Sequence, residues 1–139
     1  MNAVDTNILL YSVDDDEPAK RAKAQSLIGQ LVAAKGSTVL LWQVLGESVN
    51  QLRLWKNMGE LSDSQFDQYV ANFRTLFSLA IPSLGVRDHV LDLANRYSLS
   101  HWDSMILGAC NEAGVTTLYT EDMGAPRTID QIQLVNPLI

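Results

Sequence analysis

The feature that most narrows the possible folds is an alternation. Short apolar runs of strand length recur along the chain: "AVDTNILLY" near the start, "TVLL" at 38–41, "LAIPSL", "TTLYT" at 116–120 and "IQLVN" ending at 136. Between them lie segments with apolar residues at helical spacing. Residues 18 to about 34 put Ala24, Leu27, Ile28 and Leu31 on one face, with Pro18 suited to a first helical turn and Gly36 to a stop. Residues 42 to about 56 read as a second helix. A third, over about 62 to 78, gathers Phe66, Tyr69, Val70, Phe73 and Phe77. "VRDHVLDLANRYSL" and "SHWDSMILGACNEAG" read as two more, the latter closed by Gly114. Strands alternating with helices predict a parallel sheet covered on both faces. Ligands of such sheets gather beyond the carboxyl ends of the strands, at the switch point.

That expectation gives meaning to four acids. Asp5 sits inside an otherwise apolar run, where an unpaired carboxylate is costly. Glu47 lies in the first half of the helix after "TVLL", Asp103 in the first turn of "HWDSMILGAC", and Asp122 just beyond "TTLYT". In a parallel sheet the ends of the first strand and of "TTLYT" share one edge, and helices starting after "TVLL" and at Ser100 reach it. Each acid also has a plainer role. Asp5 suits a turn at a strand end. Glu47 sits at the margin of a stripe of Leu45, Val49 and Leu52. Asp103 completes a Ser-x-x-Asp capping box begun at Ser100, although it shares a face with Ile106, Leu107 and Cys110. Asp122 competes with its neighbour Glu121.

Taken together, the four point to a cation. Two carboxylates ~4 Å apart repel by about 4 kcal/mol at an effective dielectric of about 20. The sequence puts no lysine beside any of the four. A donor set made only of oxygen selects magnesium or manganese. His89, His101 and Cys110 have no zinc-ligand spacing. Thr6, Asn7, Ser104 and Thr120 stand beside the acids, either to orient them or to cap backbone.

Composition sets outer limits. A chain of 139 residues, 47% apolar and 19% charged, is expected to fold as one domain over 1–139. No apolar run reaches the ~18 residues of a membrane span, and "MNAVDTN" lacks the pattern of a secretory leader. The lone Cys110 cannot form an internal disulfide, which fits the cytoplasm. A net charge of −6 argues against non-specific nucleic-acid binding, though not against a nucleic-acid substrate reached through bound cations. Lys20, Arg21, Lys23, Arg53 and Lys56 are candidates for contact with RNA backbone, or simply solvated helix faces. "DDDE" at 14–17 reads as charge for a helix N-terminus. Trp42, Trp55 and the 66–77 aromatics read as core or dimer contacts. Trp102 reads as packed, or as a base-stacking residue.

The ordered set of "VDTNILLY", the Glu in "QVLGESV", "HWDSMILGAC", "LYTEDM" and "IQLVNP" resembles PIN-domain ribonucleases. More narrowly, it resembles the VapC-type toxins of bacterial type II toxin–antitoxin modules. The likeness runs from residue 2 to about 137 and is weakest over 57–98. It implies a PIN-like three-layer α/β/α sandwich with a mainly parallel central sheet. It implies that Asp5, Glu47, Asp103 and Asp122 form the acidic site, with Asp122 favoured over Glu121. It further implies one or two Mg²⁺ or Mn²⁺ ions, an RNA substrate, a homodimer, and a cognate antitoxin that blocks the cleft. The corresponding chemistry is in-line hydrolysis of a phosphodiester, leaving 5′-phosphate and 3′-hydroxyl ends.

Three other readings compete. A response-regulator receiver needs a phosphorylatable Asp after its third strand and a Lys near its last, and neither "LAIPSL" nor the final strands supply them. A phosphatase with an Asp nucleophile needs a second Asp two residues on, where this chain has Asn7. A non-catalytic PIN-fold module that binds RNA or protein is weakened by the presence of all four acids.

Overall fold

In the computed structural model, which describes residues 1–139, pairs of helices separate the first four of six strands and the last three strands follow one another. In order the elements are β1 (Asn2–Val4), α1 (Thr6–Tyr11), α2 (Pro18–Ala33), β2 (Thr38–Leu41), α3 (Trp42–Asn57), α4 (Asp63–Leu76), β3 (Ser78–Ala80), α5 (Val86–Tyr97), α6 (His101–Glu112), β4 (Thr117–Tyr119), β5 (Arg127–Ile129) and β6 (Ile132–Val135). No helix is long and apolar enough to cross a membrane.

The strands form one sheet in the order β3-β2-β1-β4-β6-β5. All neighbours run parallel except β5 and β6. The chain steps from β1 to β2 to β3 in one direction, then returns past β1 to β4. Crossovers between parallel strands are right-handed. Steps in opposite directions therefore put α1–α4 on one face and α5–α6 on the other, which makes the three-layer α/β/α sandwich. The reversal lies between β1 and β4, so the switch-point crevice opens at their carboxyl ends.

The core follows from this layering. Ala3, Val4, Leu40, Leu41, Leu118 and Leu134 fill the sheet. Ile8, Leu9, Ala24, Val44 and Leu52 cover one face, and Leu93, Ile106, Leu107 and Cys110 the other.

Several expectations need correction. The first apolar run is not one strand: β1 ends at Val4, and "TNILLY" is helix α1. A short apolar run looks alike as buried strand or buried helix. Asp5 decides between them, because its carboxylate accepts from the Thr6 amide at 2.7 Å as a helix N-cap. Strand β5 has no apolar run to mark it in the sequence. It is short and two-thirds exposed, and it folds back on β6 through Asp130 at φ 52°, a left-handed position that Asp tolerates. The buried stripe of α3 is Val44, Ser48 and Leu52, with Leu45 and Val49 only half-buried. Trp42 is 55% exposed and Trp102 62% exposed, so neither belongs to the core. Trp55 and the aromatics of α4 do pack against it, with Phe73 fully buried. "DDDE" leaves no acid in the first turn of α2. Asp15 instead pairs with Arg21 at 2.9 Å, and Asp14 accepts from the Asp16 amide.

Gly108 of α6 packs directly against α5. A Cβ there would stand 3.0 Å from methyl carbons of both Val86 and Val90. Gly29, on α2, has nothing within 4 Å of the same position. Gly29→Ala should therefore raise stability by about 1 kcal/mol, the usual helical difference. Gly108→Ala should lower it by about 1–3 kcal/mol, because overpacking outweighs the propensity gain. Urea denaturation of the two variants checks both signs.

Candidate active site

The site is built at the carboxyl ends of β1 and β4. The Asp5 amide still donates to the Tyr119 carbonyl at 2.9 Å, continuing the β1–β4 ladder past its last paired residues. Its side chain is only 5% exposed. Oδ1 accepts from the Thr6 amide, and Oδ2 accepts from the Thr120 hydroxyl at 2.7 Å. Thr120, fully buried at the end of β4, in turn accepts from the Asp122 amide at 3.0 Å. Asp5, Thr120 and Asp122 are thus joined in one hydrogen-bonded chain.

Glu47 comes from α3, one and a half turns after β2. Its Oε2 accepts from the Thr6 hydroxyl at 2.7 Å, and its Oε1 from Gln43 Nε2 at 2.7 Å. Gln43 also donates to the Trp102 carbonyl at 3.2 Å, which ties α3 to the start of α6. Asp103 stands in that first turn, half-buried, with its amide donating to Ser100 Oγ at 3.1 Å. Only this half of the expected capping box forms. The Asp103 carboxylate stays beside the Ser100 hydroxyl, which favours its charged form against burial.

The electrostatics tie the four together. Burial pushes the Asp5 carboxyl up to about 6, against the hydrogen bonds from Thr120 and Thr6, and the charges of Glu47 and Asp122 push it further. Burial also raises Asp103, again with Asp122 and Glu47 adding to the effect. Glu47 and Asp122 thus act on both Asp5 and Asp103, so the four acids share one field. None of them makes an ion pair. Beneath them the Cys110 thiol is raised well above its ordinary value by burial and by Asp5, which makes it an inert core residue.

Oxygen-only donors, mutually repelling charges and one orphaned acceptor fit a hard divalent cation. The orphan is Asn7 Oδ1, buried without a hydrogen-bond partner while its Nδ2 donates to Asp122 Oδ2 at 3.0 Å. The side chains are not set around a common point, however: no three His, Cys, Asp or Glu residues are arranged to hold one ion. The neutral donors Thr6, Gln43, Asn7 and Thr120 each draw a carboxylate to themselves.

Of the residues expected to orient the acids, Thr6, Asn7 and Thr120 do so. Ser104 does not, since its hydroxyl donates back along the helix to the Ser100 carbonyl at 2.8 Å. Glu121 faces away from the group, toward Tyr11 and Lys20. Most of the other basic candidates are engaged elsewhere: Arg21 with Asp15, Lys56 with Asp63, and Lys23 with the Leu138 carbonyl. Arg53 is exposed and makes no ion pair. Gln43 and Tyr11 were missed in the sequence. Both stand four residues from a site residue on the same helix, Gln43 from Glu47 and Tyr11 from Asn7, and that spacing is the signal that identifies them.

No protein-family model matches this sequence, and no curated protein sequence does. Solved structures do match. A toxin–antitoxin complex from Klebsiella pneumoniae aligns at 18% identity and TM-score 0.64, covering 99% of this chain and 98% of that one. VapBC2 from Rickettsia felis, bound to a DNA fragment from its promoter, aligns at 15% identity and TM-score 0.67, over 96% of both chains. Mycobacterium tuberculosis VapC20, described as a toxin that cleaves the sarcin–ricin loop, aligns at 16% identity and TM-score 0.60, over 89% of this chain and 92% of that one. The chain therefore has the PIN-like fold of VapC proteins across nearly its whole length.

The raised Asp5 carboxyl has a consequence for stability. A group held at about 6 in the folded chain and at its ordinary 3.8 when unfolded binds its proton more tightly when folded. Its contribution is therefore favourable at low pH, declines between about pH 4 and pH 6, and stays low above that. Asp5→Asn should be more stable than the parent at pH 8 without divalent cations, by about 3 kcal/mol at most. The difference should vanish near pH 4. Urea titrations at the two pH values check it.

Proposed function

We propose that this chain is a metal-dependent endoribonuclease, the toxin of a toxin–antitoxin pair. The reading rests on four carboxylates from four separate segments that lie within range of one another's charge, without a single ion pair, near the switch point of the sheet. Such a concentration of charge destabilises a fold, and catalysis is the usual reason to tolerate it. Asp5, Glu47, Asp103 and Asp122 would hold one or two Mg²⁺ or Mn²⁺ ions. A bound divalent ion supplies Lewis-acid polarisation of the phosphate and neutralises charge on it.

The chain's own residues do the rest. Thr6 and Gln43 fix Glu47, Thr120 fixes Asp5, and Asn7 fixes Asp122. RNA approaches a chain of charge −6, so its backbone needs local cations at the rim. Arg53, exposed and outside any ion pair, is free for this. The fold's likeness to toxin–antitoxin complexes supports a cognate antitoxin as partner. We read the active form as a cytoplasmic homodimer.

One observation favours a non-catalytic binding module instead: the acids are not set around a common point. Two measurements separate the readings. As a nuclease, the chain should cleave RNA with Mn²⁺ or Mg²⁺, leave 5′-phosphate ends, and stop with EDTA. Asp5→Asn and Glu47→Gln should each slow cleavage by more than about a hundredfold, beyond the effect of losing a residue that only orients a ligand. Mn²⁺ should also raise the melting temperature of the parent and do so far less in Asp5→Asn. A binding module would hold RNA uncut and melt at one temperature with or without the ion.

A further inference from the structure

The structure treats the two acids that follow β4 differently. Helix α1 presents Asn7 and Tyr11 one turn apart on one face. Asn7 Nδ2 donates to Asp122 Oδ2 at 3.0 Å, and the Tyr11 hydroxyl donates to Glu121 Oε1 at 2.5 Å. One helix face thus grips two consecutive carboxylates.

Only one of them meets a cation. Lys20, in the first turn of α2, lies 3.1 Å from Glu121 Oε2 and 3.1 Å from the Tyr11 hydroxyl. Its ammonium also sits 4.6 Å from the centre of the Tyr11 ring. Tyr11, Lys20 and Glu121 therefore close a ring of contacts drawn from α1, α2 and the β4 exit. Asn7 has no charge to give, so Asp122 keeps its own.

With side chains 37% and 24% exposed, the Lys20–Glu121 pair adds little stability. Its value is directional. Held by two donors, Glu121 stays on the α2 side of the loop. The chain bends at Glu121, and the Asp122 amide donates back to Thr120 Oγ1, so with Glu121 held at the bend Asp122 is carried to Asn7 beside the acidic cluster.

We propose that Tyr11, Lys20 and Glu121 form a clamp that positions Asp122 for divalent-cation binding, and that this clamp decides which acid of "TED" serves the site. The proposal rests on the metal-site reading above. The three are positioning residues, acting through Asp122.

The test is Mn²⁺ binding by isothermal titration calorimetry, with melting temperature measured alongside, on the full chain. Lys20→Met combined with Glu121→Met removes both holds on residue 121 at constant net charge. We expect Mn²⁺ affinity to fall about tenfold, as when a partner that orients a metal ligand is lost, with the cation-free melting temperature close to the parent's. Lys20→Arg should keep near-parental affinity. Adding Asp122→Asn to the pair should give the affinity of Asp122→Asn alone, because the effects run through one residue. The clamp is overturned if the pair variant binds Mn²⁺ like the parent, or if the triple variant is a further tenfold weaker than Asp122→Asn. A parent chain that takes up no Mn²⁺ overturns the metal-site reading itself, and the clamp falls with it.

Discussion

The structure depends on the pairing of the first strand with the fourth. These strands are far apart in the chain yet adjacent in the sheet, with Asn2 opposite Thr117 and Val4 opposite Tyr119. The next residue on each is polar. Asp5 continues the ladder with its amide and turns its carboxylate onto the Thr120 hydroxyl. That single junction ends β1, starts α1 and fixes the exit of β4. The helix it caps then supplies Thr6 to Glu47 and Asn7 to Asp122.

The same junction concentrates a conflict. A carboxylate almost without solvent, surrounded by others, is held against its preference for water, as the upward shift of Asp5 records. The chain manages this with neutral donors, the hydroxyls of Thr6 and Thr120, the Thr6 backbone amide and the side-chain amides of Gln43 and Asn7, and not with lysine or arginine. Neutral donors orient a carboxylate without cancelling its charge. An ion pair would have made a more comfortable fold by cancelling that charge. The contrast between Asp122 and Glu121 shows both solutions side by side.

Much of this was legible in the residues. The strand-and-helix alternation implied the sandwich, and Asp5, Glu47 and Asp103 stood out because acids sit at or beside apolar stripes there. Other features were not legible. β1 and α1 merged into one apolar run because burial on both sides of a turn erases periodicity. Ser104 looked like a partner for Asp103 by adjacency, yet its hydroxyl found a carbonyl four residues back. Trp42 read as a core or dimer contact and Trp102 as packed or base-stacking; their exposure at the starts of α3 and α6 removes only the core alternative.

The sequence by itself determined the elements and the candidates: which segments are apolar with period two or near four, and which acids lie near their ends. Those are local properties, set by spacing along the backbone. Only the tertiary structure decided how the candidates meet. It made β1 and β4 neighbours, gave Asp122 to Asn7 and Glu121 to Lys20, and brought Gln43 into the group. Hydrogen bonds and charge fields act over a few ångströms of space, whatever the distance along the chain. Asn7 and Asp122, 115 residues apart in sequence and 3.0 Å apart in the fold, are the measure of that difference.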